Sequence, residues 1–300
     1  MSGFDAIDLS RLPAPTLIDA LDYEAILADL RTDLGDRAPE LAGALALESE
    51  PLNKLLEVCA YRELLLRGRV NDAARGVMLA LATGADLDHL GALFNVARLV
   101  VQAANPSVFP PVPEILESDA ALRRRIQLAP EGYTSAGSRG AYTFHALGAS
   151  ALIRDVSVTQ PTPGTVRVNV LGAFGDGTPT SGTLDAVLAA LNAETVRPLC
   201  DTVLVEAASI VTYQITAALT TYAGPDPAVV VTAAQAAAVA YAAEHHALGH
   251  DITLSGLYAA LHQPGVQRVA LAIPSADLVI ADHQAPYCTA ITITHAGTGL

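Results

Sequence analysis

Thr83–Leu93 has the sequence TGADLDHLGAL, and this segment decides the fold of the first part of the chain. Gly84 can adopt the left-handed conformation that ends a helix, and Asp86 can cap the helix that follows. An apolar stripe on that second helix is formed by Leu87, Leu90, Leu93 and Phe94. The segment therefore predicts a sharp corner between two helices, in which the residues serve packing and not chemistry.

The residues on either side of the corner extend this prediction. Pro51 occupies a position typical of the first turn of a helix, and that helix can run through Met78 to the corner as one long rod. Its apolar residues at helical spacing are Leu52, Leu55, Leu56, Cys59, Leu66 and Val70. Beyond the corner, Asn105–Pro113 contains four prolines and predicts a stiff connector. We therefore expect a helical module at residues 1–104.

The second half predicts mixed structure. Turn residues at Gln160–Gly164 separate two β-rich runs, 152–159 and 165–171, as in an antiparallel hairpin. Further helices are predicted at 119–127, 140–147, 183–195, 227–246 and 255–262, and further strands at 201–206, 209–221, 266–273 and 290–294. We predict an α+β fold, with two small α+β modules at residues 114–208 and 209–300 whose sheets are mainly antiparallel.

A short internal echo supports two related modules in this half. Gly140-Ala141-Tyr142 begins a predicted helix that precedes a strand, and Gly256-Leu257-Tyr258 does the same further along the chain. Such self-similarity is typical of a duplicated structural unit.

Composition limits the classes of function. Of the 300 residues, 51% are hydrophobic and only 16% are charged, which favours a protein that hides surface against partners. A net charge of −14 with 17 basic residues argues against a nucleic-acid partner. Ala228–Ala243 is too short and too weakly apolar to predict a membrane span. Cys59, Cys200 and Cys288 lack CxxC spacing, so we expect core residues, with no disulfide or zinc site.

Two groups of residues could carry chemistry. Gly172–Gly177 follows a strand and precedes a helix, as a phosphate-binding loop does, but it lacks the Lys and Ser or Thr of that motif. His245, His246 and His250 form a cluster in which two members have helical ligand spacing, although HExxH is absent. We therefore predict no catalytic residue, no metal site and no cofactor. A metal-dependent or small-molecule enzyme that uses the second half is the alternative.

The order of three motifs resembles the baseplate assembly protein J family of contractile-tailed phages. The first is the corner with Val96 and Arg98, the second is Asp119–Ile126 after the proline-rich segment, and the third is Tyr133–Ser138 followed by Tyr142. The resemblance extends over the whole chain. Carried over to this sequence, it assigns structural or interface positions to Gly84, Asp86, Leu87, Asp88, Leu90, Gly91, Arg98, Asp119, Arg123, Arg125 and Tyr133.

The consecutive arginines of the second motif suggest a specific contact. Basic residues are scarce in this chain, so we expect Arg123 or Arg125 to pair with an acidic residue across a module or subunit boundary. The alternative is a solvated helix face with a local pair between Asp119 and Arg123, which contributes only about 0.2–0.5 kcal/mol.

The family resemblance implies a structural subunit of the baseplate wedge, without enzymatic activity. Such a subunit forms a homodimer, links neighbouring wedges into a ring around the tail hub and relays the trigger for sheath contraction through its interfaces. Its implied partners are other wedge proteins, the hub and the sheath, with no membrane and no nucleic acid. The implied location is the tail baseplate of a virion that is assembled in the host cytoplasm. A bacteriocin tail or related injection device has the same architecture.

Overall fold

The computed structural model of the chain describes residues 9, 12, 15, 20–134, 136–224 and 226–299. These residues divide into two compact units. The helical unit contains the described residues before Arg98 together with Asp119–Ile126, and the sheet unit contains Arg98–Ser118 and the residues from Gln127 onward. The chain therefore contributes a second, separate segment to the helical unit.

The helical unit is built from helices of 4 to 26 residues. Asp22 caps the first of them, because its carboxylate accepts a hydrogen bond from the amide of Ala25. The helices are α1 (Tyr23–Arg37), α2 (Ala42–Leu45), α3 (Pro51–Gly76), α4 (Gly84–Ala92) and α5 (Asp119–Leu128), whose last two residues belong to the sheet unit. The core between α1 and α3 is formed by Ile26, Leu27, Leu56 and Ala60.

The corner between α3 and α4 differs from the prediction in two ways. α3 ends at Gly76 and not at Gly84, and a non-helical turn follows it. Gly84 has a φ of +53°, the left-handed conformation that was expected, but it is the first residue of α4. Thr83 occupies the N-cap position, so Asp86 is a first-turn residue whose charge favours the helix N-terminus without capping it.

Several apolar side chains that were predicted to form core stripes are exposed. On α4, Leu87 is fully buried whereas Leu93 is 76% exposed, because the helix ends before it at Ala92. On α3, Leu56 faces α1, while Leu55, Cys59, Leu66 and Val70 are exposed. The prediction of core cysteines is also wrong, since Cys59 and Cys200 are exposed and Cys288 is half-buried.

The proline-rich segment turns back on itself and is not an extended connector. β1 (Val100–Gln102) pairs with β2 (Ile115–Leu116) in antiparallel fashion, and Asn105 forms a further bridge with Val112. Residues 98–118, which we call the arm, therefore form a hairpin with the prolines near its tip. The prolines do not prevent this pairing, because none of the amides that donate hydrogen bonds across the hairpin belongs to a proline.

The first of two three-stranded sheets has the order β3-β4-β5. Its strands are β3 (Ile153–Thr162), β4 (Thr165–Gly172) and β5 (Thr202–Ala207), and its helices are α6 (Arg139–Ala149) and α7 (Ser181–Leu191). The predicted hairpin between β3 and β4 is confirmed. The β4–β5 pair is parallel, because α7 crosses between the two strands.

The second sheet has the order β7-β6-β8. Its elements are β6 (Ser209–Tyr222), α8 (Pro227–His245), α9 (Leu254–Leu261), β7 (Val266–Ile273) and β8 (Gln284–Gly299). The β6–β7 pair is antiparallel and the β6–β8 pair is parallel. α8 has 19 residues and is long and apolar enough to span a bilayer by length and composition, in contrast to the prediction, and its residues Val230, Ala234 and Ala238 lie in the core over this sheet.

The predicted α+β class is confirmed, and the two echo segments occupy equivalent places. Ser138 caps α6 and Thr253 caps α9, and each of these helices leads into the antiparallel edge strand of its sheet. In both sheets the central strand also has a parallel partner on its other side. Each sheet therefore has the same layout of one antiparallel and one parallel pair, which the sequence did not indicate.

Candidate functional site

Gly84 and Asp119 join the first two motifs. The amide of Gly84 donates a hydrogen bond to the Asp119 carboxylate at 3.2 Å. Asp86 lies against the end of α3, where a Cβ added to Gly76 would come within 2.8 Å of the Asp86 Oδ2. Asp119 therefore binds the first amide of α4, and the missing side chain of Gly76 leaves space for Asp86 beside α3.

Gly91 allows a close approach at the other end of α4. A Cβ at this position would lie 2.6 Å from the carbonyl oxygen of Val96 and 3.3 Å from Cδ1 of Ile126. The Val96 amide donates to the Gly91 carbonyl at 3.0 Å, and Asn95 between them has a left-handed φ of 57°. Gly91 is therefore a packing position where any larger residue would displace the backbone.

Arg123 holds the turn between α3 and α4. Its Nε donates to the carbonyl of Leu79 and its Nη2 to the carbonyl of Ala82, both at 2.7 Å. Arg123 thus binds backbone carbonyls, and the carboxylate of Asp119 accepts from the amide of Gly84. A guanidinium suits this task because its donors form a planar fork. The pairing of an arginine of this motif with an acidic residue across a module or subunit boundary stays a prediction.

The other two arginines of the predicted set also bind main-chain oxygens. Arg125 is buried, and its Nη2 donates to the carbonyl of Ala97. In the sheet unit, Arg98 Nη1 donates to the carbonyl of Glu117 at 2.8 Å. These motif side chains therefore satisfy backbone groups where the chain is not helical.

The remaining predicted residues differ in burial and in position. Leu87 is fully buried, Leu90 lines a groove between α3 and α4, and Asp88 is exposed. Tyr133 is 70% exposed and belongs to the sheet unit. Ser135 of the third motif lies outside the described residues.

Two buried polar residues that were not predicted from the sequence also bind backbone groups with their side chains. The Glu117 carboxylate accepts from the Leu99 amide at 2.9 Å at the base of the arm. Asn53 donates to the carbonyls of Leu45 and Leu47 before α3. A single Glu or Asn among apolar residues can indicate a buried polar side chain. The sequence does not indicate which backbone groups such a side chain binds.

The third motif leads into a buried aromatic residue. The Tyr142 hydroxyl on α6 donates to the Asp201 carboxylate at 2.8 Å. Burial, together with this hydrogen bond, raises the pKa of Tyr142 far above its ordinary value. The phenol therefore remains protonated and acts as a structural donor between α6 and the segment before β5.

The Gly172–Gly177 loop is closed by its own backbone. The Gly172 amide donates to the Gly177 carbonyl at 2.6 Å, and the Gly177 amide donates to Phe174 at 3.1 Å. Hydrogen bonds from Thr178 lower the pKa of Asp176, so this loop also presents a negative charge. Amides that are already bonded, beside a carboxylate, do not form a phosphate cradle.

The histidine cluster is likewise engaged by the backbone. Nδ1 of buried His246 lies 2.7 Å from the carbonyl oxygen of Pro286, and His245 stacks on Tyr241 with its Nδ1 3.0 Å from the Tyr241 carbonyl oxygen. The rings of His245 and His250 are 6.1 Å apart. Among the described residues, no group of three or more His, Cys, Asp or Glu side chains could hold a metal ion.

Three family models match consecutive parts of the chain. The Baseplate J-like N-terminal domain matches residues 48–105, the Baseplate J-like central domain matches residues 134–207, and the Baseplate J-like protein C-terminal domain matches residues 213–294. The first match contains the corner, and the other two correspond to the two three-stranded sheets with their helices.

One curated relative matches nearly the whole chain. Baseplate protein J of Escherichia phage P2 is 48% identical over 297 residues, which cover 97% of this chain and 98% of that protein. A chain in the cryo-EM structure of the anti-feeding prophage baseplate, 6-fold symmetrised, has 16% identity and a TM-score of 0.40 over 65% of this chain and 49% of its own length. The three family models and the phage relative show that this chain belongs to the baseplate J-like family.

Proposed function

We propose that this chain is a structural subunit of a contractile-tail baseplate, located in the baseplate wedge. The observation that carries the proposal is the 48% identity to Baseplate protein J of phage P2, which covers nearly all of both chains. Because the match includes every module, the role of that relative as a baseplate protein transfers to the whole chain. The location that follows is the tail baseplate, and assembly takes place in the host cytoplasm.

In this proposal, three modules of the chain have different roles in the baseplate. They are a helical wedge-core module at residues 1–104, which Asp119–Ile126 completes, and two α+β modules at residues 114–208 and 209–300. The limits of the three matched family domains support this division. In the proposal, helices hold the subunit in the wedge, and the α+β modules contact neighbouring wedges around the hub.

The exposed face of α3 supports a role in assembly. Leu55, Leu66 and Val70 are each more than half exposed on a helix whose other face packs against α1. Arg62 and Arg69 beside them are exposed and have no ion pair or hydrogen bond among the described residues. A helix with apolar residues on two faces is typical of an element that is buried on both sides.

The finer function concerns movement and partners. The subunit forms a homodimer, contacts other wedge proteins, the hub and the sheath, and relays the contraction trigger by changes at its interfaces. Such a relay requires rigid elements with interfaces that have two arrangements. In this proposal the chain acts through geometry and has neither a cofactor nor a catalytic step.

A gene deletion tests the proposal. The gene is removed from the genome that encodes this chain, and particles are counted by electron microscopy with and without a plasmid copy. We expect the deletion to abolish complete contractile tails and the plasmid to restore them. Normal tails in the deletion strain would refute the baseplate role.

A matched pair of variants tests the contribution of α3. The double variant Leu55→Ser with Leu66→Ser removes two exposed apolar side chains, and Leu199→Ser changes a 99% exposed leucine elsewhere. We expect the α3 variant to fold but to lose tail assembly, and the control to restore it fully. Equal restoration by both variants would exclude the α3 face from the wedge contacts.

A further inference from the structure

The exposed face of α3 points away from α1. The packed face contributes Leu56 and Ala60 to the core, whereas Leu55 and Leu66 are each more than half exposed. Further exposed apolar side chains on this helix are Val58, Tyr61, Leu65, Val70 and Val77. A helix with this much exposed apolar surface is typical of an element that another helix covers.

Two exposed arginines lie within this apolar face and not at its border. Successive residues of a helix are about 100° apart around its axis, so Arg62 and Arg69, seven positions apart, point in nearly the same direction. By the same geometry Leu66 lies beside them on one side and Leu65 on the other. The apolar face therefore has two positive charges near its middle.

The acidic residues of α3 do not compensate these charges. Each of the three pairs with another cation, namely Glu57 with Lys54, Glu63 with Arg67 and Asp72 with Arg75. Arg62 and Arg69 have no ion pair or hydrogen bond among the described residues. Both charges are therefore available to a partner.

These charges limit what can cover the face. A buried cation without a partner is costly, because it loses its hydration and gains no compensating charge. A molecule that covers the leucines of α3 therefore has to bring a carboxylate to each arginine. Arg62 and Arg69 are about 10 Å apart along the helix axis, and a helix that runs alongside α3 returns to the same face every seven residues. Two acidic residues seven positions apart on such a helix match the two arginines.

The long helices of a second copy do not supply this combination. A second α3 would bring its own arginines to the same face, and like charges oppose such a contact. α1 has two exposed carboxylates at the required spacing, Asp29 and Asp36. The exposed residues beside them are Ala25 and Thr32, whose side chains are too small to cover the leucines of α3. The charges and the apolar side chains together favour a helix of a different protein.

We propose that the exposed face of α3 binds an amphipathic helix of a different protein, which places two acidic residues seven positions apart opposite Arg62 and Arg69. The inference rests on the proposed function, in which this face is a wedge contact, and it specifies the chemistry of the partner. Apolar side chains supply the buried area, and the two ion pairs fix the register of the partner helix on α3.

Charge reversal in the full chain tests the contact. The double variant Arg62→Glu with Arg69→Glu reverses both charges, and Arg62→Lys with Arg69→Lys retains them. Arg139→Glu with Arg268→Glu is the matched control, because both residues are exposed and belong to the sheet unit. Circular dichroism checks that each variant folds, and complete tails are counted in the deletion strain with each variant on a plasmid.

We expect the α3 glutamate variant to reduce the number of complete tails at least tenfold, and the lysine variant and the control to restore them. Normal tails with the α3 glutamate variant overturn the proposed contact. Normal tails in the deletion strain without any plasmid would instead refute the baseplate role, so the two failures are distinguishable.

Two measurements on the purified chain identify the kind of partner. Analytical ultracentrifugation compares self-association of the wild type and of the α3 glutamate variant, which we expect to be equal. At least tenfold weaker self-association of the variant would assign the face to a second copy and overturn the proposal.

Fluorescence anisotropy measures the binding of a synthetic amphipathic peptide with a leucine stripe and two glutamates seven positions apart. We expect the wild type to bind this peptide at least tenfold more tightly than the same peptide with lysines in place of the glutamates. The α3 glutamate variant should reverse this preference, because its charges are opposite. Equal affinities for the two peptides would also overturn the proposal.

Discussion

Arg123 is the residue on which the turn between α3 and α4 depends. It donates to the carbonyls of Leu79 and Ala82, and Ala82 is almost fully buried. We expect Arg123→Ala to lower the free energy of unfolding by about 2–3 kcal/mol, because a charged donor is lost and two carbonyls lose their partner. Urea unfolding followed by circular dichroism measures this change.

Arg69 on α3 supplies the control for this substitution. Its side chain is exposed and has no ion pair or hydrogen bond among the described residues, so Arg69→Ala should change stability by less than about 0.5 kcal/mol. Equal effects of the two substitutions would show that the contacts of Arg123 do not hold the turn.

Two glycines of the helical unit should respond to alanine in opposite directions. Neither Gly84 nor Gly35 has a neighbour that an added Cβ would touch, so the backbone alone decides the outcome. Gly84→Ala forces a left-handed alanine and should cost about 1–2 kcal/mol. Gly35→Ala within α1 should stabilise by about 0.5–1 kcal/mol. Thermal unfolding of both variants is the measurement, and shifts of the same sign would contradict the assignment.

A residue's conformation could be predicted from sequence where its own type determines it. Hydrogen bonds to residues far away in the chain could not be predicted. The positive φ of Gly84 was predicted from its place in the corner and is confirmed, although Gly84 begins α4 and does not end α3. The partners of Arg123 could not be predicted, since backbone carbonyls more than 40 residues away have no sequence signature. Asp86 was predicted to be a cap because its type favours that position, but Thr83 precedes it there.

The end of α8 is fastened by the edge strand of the first sheet. Arg154 on β3 donates to the carbonyls of Ala243 and His246, and the Asp155 carboxylate accepts from the Leu248 amide at 3.0 Å. A cation also favours the negative end of the helix dipole. The two α+β modules are therefore joined at this point by charged side chains on backbone groups.

Loss of the Arg154 hydrogen bonds should lower the stability of the whole protein and increase local opening at the end of α8. We expect Arg154→Ala to cost about 2–3 kcal/mol and to accelerate amide hydrogen exchange at residues 243–248. Arg167→Ala is the control, because its contact with Glu206 is a half-exposed ion pair of 3.5 Å that is worth less than about 1 kcal/mol. Unchanged exchange at the end of α8 in Arg154→Ala would exclude the fastening.

Element boundaries could be predicted where local signals agree. The hairpin of β3 and β4 has alternating apolar residues and a Pro-Gly turn, and it occurs as expected. The arm was missed because four prolines between residues 105 and 113 favour extended backbone, and this local preference concealed a hairpin that long-range hydrogen bonds form. On α3 the apolar spacing is helical, but it could not show which of two apolar faces is covered.

The two sheets of the sheet unit have the same strand pairing, but their helices and strands follow one another in a different order along the chain. In the first sheet, α6 and the antiparallel edge strand precede the central strand and α7. In the second sheet, the central strand and α8 come before α9 and the antiparallel edge strand. The pairing senses are the same in both, so contacts rather than chain order define the module. This explains why the sequence echo was confined to the helix that both modules share.

The helical unit requires a segment that the chain supplies only after the arm. Asp119–Ile126 belongs to this unit, and it provides Arg123 for the turn and Ile126 for packing against Gly91. A fragment of residues 1–104, the helical module predicted from sequence, lacks this segment. We therefore expect this fragment to unfold without a cooperative transition, whereas a fragment of residues 1–128 should unfold cooperatively.

Thermal circular dichroism of the two fragments checks this expectation. Arg123→Ala in the longer fragment is the matched control, since it keeps the chain length and removes the two hydrogen bonds to the turn. Its transition should lie between those of the two parent fragments. A cooperative transition of equal midpoint in both parents would show that residues before 105 form a complete module and that the second segment contributes nothing to its stability.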